Sequence, residues 1–361
     1  MKNILLFYCL LLISIVQAQT GEYRAGAGAL LSRTNGDYNT AVGDSTLTKL
    51  TTGDYNVGLG YKAGYNITSG TEGVYIGYES GFTSGFAGDN TMIGFRAGYY
   101  NTGTDNTFIG NAAGFATTTG EDNTFIGEKS GARLTTGDDN TFIGNRAGPG
   151  TDSAINSTAD DGTYGVGATG SDNTAIGSAS GFNLTTGYEN TFVGYLAGNE
   201  MTTGYGNTLL GESAGIRIST GYQNTFIGQE AGEHTEYGDY NTFIGVKSGW
   251  DNNRSNSENI NANRNTYLGY ESGYSNREGE DNVVIGAFAD FRGTGSGTSS
   301  GGSDGQQYNA RNVMIGAYAV LDGGTTYTGA NDVVSMGFLT YVDNDEVVIM
   351  GSRKSFWFRG Y

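Results

Sequence analysis

A pentapeptide returning at a fixed interval constrains this chain more than any other feature. NTFIG begins at Asn106, Asn123, Asn140, Asn224 and Asn241, and close variants carry the same 17-residue beat along nearly the whole sequence. A period of this length marks a solenoid, in which one repeat makes one lap and buries its apolar side only by stacking on the next. The sequence therefore predicts an all-β fold. We expect a parallel β-roll or β-solenoid of about 16 short coils, spanning residues 37–350.

Within one unit, Asn123 to Gly127 reads as a short strand bounded by Asn and Gly. Ser130-Gly131 forms a small pair, and Ala132 to Asp139 forms a polar turn. Gly is the commonest punctuation, with 63 in the chain, but it recurs at set places, which indicates turns rather than a flexible linker. The residue before the strand's Gly is aliphatic in every clear unit, including Ile109, Ile126, Ile143, Ile176, Val193, Ile227 and Ile244. Strand residues alternate faces, so this row, with the Thr two places earlier, is expected to point into the coil. The intervening row, Phe108, Phe125, Phe142, Phe192, Phe226 and Phe243, would then face outward as an apolar stripe. Such a stripe exceeds what a soluble monomer tolerates, and another copy of the chain is its simplest cover. A bend or bulge at Asn would instead turn the Phe row inward.

Residues 1–18 have the layout of a secretory signal peptide, with Lys2, an apolar stretch from Ile4 to Val16, and Ala18 at the cleavage point. Export to the cell surface or medium is expected. The single cysteine, Cys9, lies in that leader. Residues 19–36 read as a lead-in or cap, and 351–361 as a C-terminal cap or attachment segment. A net charge of −18 disfavours nucleic acid and anionic membranes as partners.

The motif NTFIG, then Ala-Gly, then Thr-Thr-Gly resembles the head repeats of trimeric autotransporter adhesins. The resemblance spans about residues 37 to 350. It implies a left-handed parallel β-roll, three chains side by side about a threefold axis, and attachment to a cell surface, glycan or matrix. The beat is longer here than is typical of that family, and Phe stands where Ala is usual. No heptad stalk or C-terminal membrane barrel is recognised, so self-translocation and membrane anchoring do not carry over.

Three stretches interrupt the beat, at 148–172, 246–264 and 287–311, and side loops are where solenoids often bind. Trp250 and Tyr308 are the aromatic candidates there. Acidic residues before the Asn row (Asp37, Asp54, Asp89, Asp105, Asp122, Asp139, Asp172, Asp239, Asp281) could bring carboxylates together for Ca2+. The GGxGxD nonapeptide of calcium-binding rolls is absent, so they read as solvated turn residues and no cofactor is expected. With one histidine, His234, and no assembled nucleophile and base, the chain reads as a non-enzyme. The expected function is an exported structural and adhesive fibre module. The alternatives are the shaft of a fibre or spike, or an ice-binding solenoid, which needs regular outward Thr arrays.

Overall fold

The computed structural model describes residues 21–86, 88–149, 167–252, 262–276, 279–292, 310–322, 332–338, 341–342, 348–350 and 357–358. The fold is an all-β parallel solenoid of about 15 coils with a period of about 17 residues. It divides into two compact units, which meet in sequence at Asn173 and Thr174.

The first unit carries β1 (Tyr23–Ala25), β2 (Thr40–Val42), β3 (Val57–Leu59), β4 (Val74–Ile76), β5 (Thr91–Ile93), β6 (Thr107–Ile109), β7 (Thr124–Ile126) and β8 (Thr141–Ile143). Each pairs in parallel with the next, and equivalent residues face one another, so Thr124, Phe125 and Ile126 sit on Thr141, Phe142 and Ile143. The lead-in, expected as a cap, supplies β1 as a first rung. Leu134 bridges Ala168 in parallel, which returns the chain to register after the first interruption.

In the second unit, β9 (Thr174–Ile176), β10 (Thr191–Val193), β11 (Thr208–Leu210), β12 (Thr225–Ile227), β13 (Thr242–Ile244), β14 (Thr266–Leu268) and β15 (Val283–Ile285) continue the same pattern. Beyond β16 (Asp290–Arg292), the series runs on through β17 (Val313–Ile315), then, after β18 (Val320–Asp322), through β19 (Val334–Met336) and, after β20 (Tyr341–Val342), through β21 (Val348–Met350). β16, β18 and β20 form a second parallel sheet. Part of the third interruption is thus a strand, where a side loop was expected. The segments Ala287-Phe-Ala-Asp-Phe-Arg and Ala317-Tyr-Ala-Val-Leu-Asp, at one offset from the strand's Gly, were its sequence signal. β22 (Trp357–Phe358) pairs antiparallel with β21. Residues 1–18, expected as a signal peptide, Tyr308 and most of 351–361 lie outside the described residues.

The strand phase corrects the sequence reading. Phe108, Phe125, Phe142, Phe192, Phe226 and Phe243 are all 0% exposed and form the core. Ile109, Ile126, Ile143, Ile176, Val193, Ile227 and Ile244 face outward, half-buried or exposed, with Ile126 at 36% and Ile176 at 38%. The Phe row is therefore not a self-association stripe, and the aliphatic row is not the coil core. The physical reason is volume. Inside the coil the Ser or Ala and Gly pair lies against the ring: a Cβ on Gly131, whose φ is +58°, would meet the Phe125 ring at 2.6 Å. The narrow wall accommodates a flat ring, and the rings stack at 4.8 Å (Phe108 on Phe125), 4.9 Å (Phe125 on Phe142) and 4.7 Å (Phe226 on Phe243).

The buried Asn row fastens each rung to the next. Asn140 Nδ2 donates to Asn123 Oδ1 at 3.0 Å, and the Asn140 backbone N–H donates to the same oxygen at 3.0 Å. In the second unit Asn207, Asn224 and Asn241 repeat the arrangement. These amides satisfy backbone carbonyls across the turn, as Asn123 does at Gly137 O, 2.9 Å away. In one rung the row reads Gly73, and there the middle strand residue is Tyr75. A Cβ on Gly73 would lie 2.5 Å from the Tyr75 hydroxyl, so the phenol fills the space the amide occupies elsewhere.

The recurring acidic residues also have a structural task. The residue before each Asn is held in the left-handed region, at φ 56° for Asp122 and 58° for Asp139. Asp and Asn enter that region with less penalty than other side chains with a Cβ. One residue earlier, Asp54 and Asp138 accept backbone N–H groups of the neighbouring coil, from Asp37 at 2.7 Å and Glu121 at 2.9 Å.

Candidate functional surfaces

Because the middle strand residue points inward, its two neighbours point outward together. In the second unit Thr174, Thr191, Thr208, Thr225, Thr242 and Thr266 form one in-register row. Ile176, Val193, Leu210, Ile227, Ile244 and Leu268 form a second. Rungs lie about 4.8 Å apart and the two rows about 7 Å apart, so six rungs make a continuous strip about 24 Å long. No charged residue occurs in these strands. The first unit presents a shorter version on Thr91, Thr107, Thr124 and Thr141, flanked by Ile93, Ile109, Ile126 and Ile143.

Aromatic ladders occupy the turns. In the first unit Tyr61 stacks on Tyr78 and Tyr78 on Phe95, at 5.2 and 5.3 Å. A second ladder runs Tyr65, Phe82, Tyr99, Phe115, with spacings of 5.4, 5.0 and 5.4 Å. Lys62 Nζ lies between the two ladders, 5.2 Å from the Tyr61 ring centre, 5.7 Å from Tyr65 and 5.8 Å from Phe82. Arg96 sits likewise, 5.4 Å from Phe95 and 5.3 Å from Tyr99, and its Nε donates to Glu79 at 2.9 Å. Sequence reading missed this surface. Its signal was an aromatic one and five residues after the strand's Gly, in successive repeats.

In the second unit Tyr188, Tyr205 and Tyr222 stack at 5.0 and 4.9 Å. The Asp239 charge, followed by the Tyr240 hydrogen bond, pushes the Tyr222 phenol up to about 12. Burial raises the Asp239 carboxyl in turn.

Trp250, expected on a binding loop, is set in the coil wall. It stacks on Tyr274 at 4.9 Å, meets His234 edge-on at 4.3 Å, and its Nε1 donates to Glu233 Oε2 at 2.7 Å. Burial, only partly offset by that hydrogen bond, raises the Glu233 carboxyl. Asp281, of the acidic row, is tied to Arg264 Nε at 2.6 Å, and the guanidinium holds its carboxyl below the usual range. Among the described residues, no three His, Cys, Asp or Glu side chains gather as a metal site.

No family model matches the chain. None of the curated proteins matches its sequence either. The likeness to adhesin heads thus stands on the repeat motif and the solenoid alone.

Proposed function

We propose that this chain is an exported, non-enzymatic structural and adhesive fibre module whose copies associate side by side as a homotrimer. The observation that carries the reading is the in-register outward strip of Thr and aliphatic residues. It replaces the Phe row as the interface expected from sequence. An in-register apolar row on strands without a charged residue is suited to burial where the same row of three copies converges on a threefold axis, while the charge of −18 keeps the remaining surface solvated. Light scattering after size exclusion tests it: a trimer is expected, and the double variant Ile227→Lys, Ile244→Lys should be monomeric with an unchanged β spectrum. A monomeric parent chain would refute the association, and a trimer indifferent to both lysines would refute the interface.

The outward Thr row favours a second reading, an ice-binding solenoid. Thr stands on the outer face, beside the buried middle residue of each strand, where strand alternation was expected to put it inside the coil. A rigid, uncharged lattice of hydroxyl and methyl groups is the surface such an activity requires. Thermal hysteresis in the parent chain, lost in Thr208→Lys, would favour this reading, and its absence would remove it.

A further inference from the structure

The two aromatic ladders of the first unit, with the cations between them, form a surface unlike the rest of this acidic chain. Lys62 is flanked by both ladders and Arg96 by Phe95 and Tyr99, while Lys49 Nζ approaches Tyr65 at 5.3 Å. One carboxylate, Glu79, takes the Nε of Arg96. A guanidinium has five N–H donors, so that bond leaves Arg96 with capacity for a further acceptor. The positive side chains of Lys49 and Lys62 are not matched by any ion pair at this surface among the described residues.

Ring orientation narrows the ligand. The rings stack face to face along the coil axis, with interplanar angles of 12° between Tyr78 and Phe95 and 8° between Phe82 and Tyr99. Within each ladder the faces are used mainly by one another, with Lys62 over Tyr61 and Tyr65 and Arg96 over Phe95 and Tyr99, and what the stacked rings leave toward solvent is chiefly the ring edge. The edge is the positive rim of the aromatic quadrupole. Tyr61, Tyr78 and Phe95 are 43%, 42% and 40% exposed. Ring edges, ammonium and guanidinium groups all attract oxygen acceptors, and the phenols of Tyr61, Tyr65 and Tyr78 add hydroxyl groups that both donate and accept.

We propose that this surface binds a short acidic oligosaccharide, a run of sugar rings bearing carboxylates. Its carboxylates lie at Lys62 and Arg96, and its hydroxyls at the phenols and ring edges. Three rungs offer a straight run of about 10 Å. The ligand is short because a long polyanion would meet the repulsion of a chain carrying 37 acidic and 19 basic side chains. The proposal rests on the adhesive reading above and gives it a ligand class. It does not depend on the oligomeric state.

Titration calorimetry of the chain lacking residues 1–18 tests it with three probes: tetragalacturonate, cellotetraose as the neutral sugar, and tetraglutamate as an acidic peptide. Tetragalacturonate should bind, more weakly as salt rises, and at least about tenfold tighter than cellotetraose, the scale of one charge-assisted hydrogen bond; tetraglutamate, which matches its carboxylates but lacks its hydroxyls, should bind measurably more weakly. Lys62→Gln should weaken it about tenfold. Circular dichroism and light scattering of that variant should match the parent, which separates loss of the site from loss of fold or assembly. No heat with tetragalacturonate, equal binding of cellotetraose or tetraglutamate, or a Lys62→Gln affinity equal to the parent's would each overturn the proposal. A trimer that fails to bind the acidic sugar would defeat this inference and leave the association standing.

Discussion

Truncating one amide of the Asn ladder should open the solenoid at a defined place. Asn123 is fully buried. Its Nδ2 donates to Asn106 Oδ1 at 3.1 Å and to the carbonyls of Glu121 and Gly137, both at 2.9 Å, and its Oδ1 accepts the N–H and Nδ2 of Asn140. In Asn123→Ala some partners keep a bond. Asn106 Oδ1 retains the Asn123 backbone N–H, the Glu121 carbonyl retains the Asp139 N–H, and Asn140 Nδ2 retains the carbonyls of Asp138 and Gly170. Two buried groups lose the bond described for them, the Asn140 N–H and the Gly137 carbonyl. At about 1–3 kcal/mol each, the cost is about 2–6 kcal/mol. Solenoid stability is nearly a sum of neighbouring terms, so the loss should be local. Native-state hydrogen exchange should show the amides of Asn123, Thr124 and Asn140 losing protection, while those near Asn39 and Asn56 hold theirs. Thr124→Ala, one residue away and outward, is the control and should stay within about 0.5 kcal/mol. A cost below about 1 kcal/mol, or a loss of protection spread evenly along the first unit, would refute the reasoning.

Asn123→Asp should be worse than Ala at neutral pH, because a carboxylate cannot donate to the three oxygens that the amide faces, Asn106 Oδ1 and the carbonyls of Glu121 and Gly137. Burial raises its folded pKa, so stability should recover as pH falls and be lost as pH rises through that value, read by urea melts at several pH values. Phe125→Ala should cost about 3–5 kcal/mol while Ile126→Ser costs under about 1 kcal/mol; the reverse order in chemical denaturation would restore the inward aliphatic row. Gly131→Ala combines a left-handed φ with a 2.6 Å approach to the Phe125 ring, and should lower the melting temperature more than Ala132→Gly. Asp281 has a lowered folded pKa, chiefly from its hydrogen bond to Arg264, so that pair's contribution is present above the unfolded value of 3.8 and is lost as pH falls through the folded one. Arg264→Gln should flatten this part of the acid-melting profile.

The repeat made the architecture legible, and the strand-turn alternation placed every Thr-x-Ile strand. It did not give the phase. In Thr124-Phe125-Ile126 two adjacent residues are apolar, so either could be the buried one, and three residues are too few to show a period of two. Thr in register with Ile was the available hint, since a polar residue and its neighbour two places on share a face. The small Ser130-Gly131 pair does not by itself say what it faces, and the structure sets it against a flat ring. Trp250 looked like a loop aromatic because an Asn-rich break follows it, yet its place five residues after Gly245 is the ladder position held by Glu233 and Tyr274 in the flanking rungs.

The sequence by itself determined a parallel coil, its period and its acidic turns, because each follows from a residue type recurring at a fixed spacing. Tertiary structure alone decided which face of the strand is inside, and with it the outward Thr and aliphatic strip. It also brought Lys62 and Arg96 between two rows of rings, in each of which successive rings are 16 or 17 residues apart along the chain and about 5 Å apart in space. Both outcomes depend on the volume enclosed by one lap and on the contact between successive laps, quantities that exist only once the coil has closed and stacked.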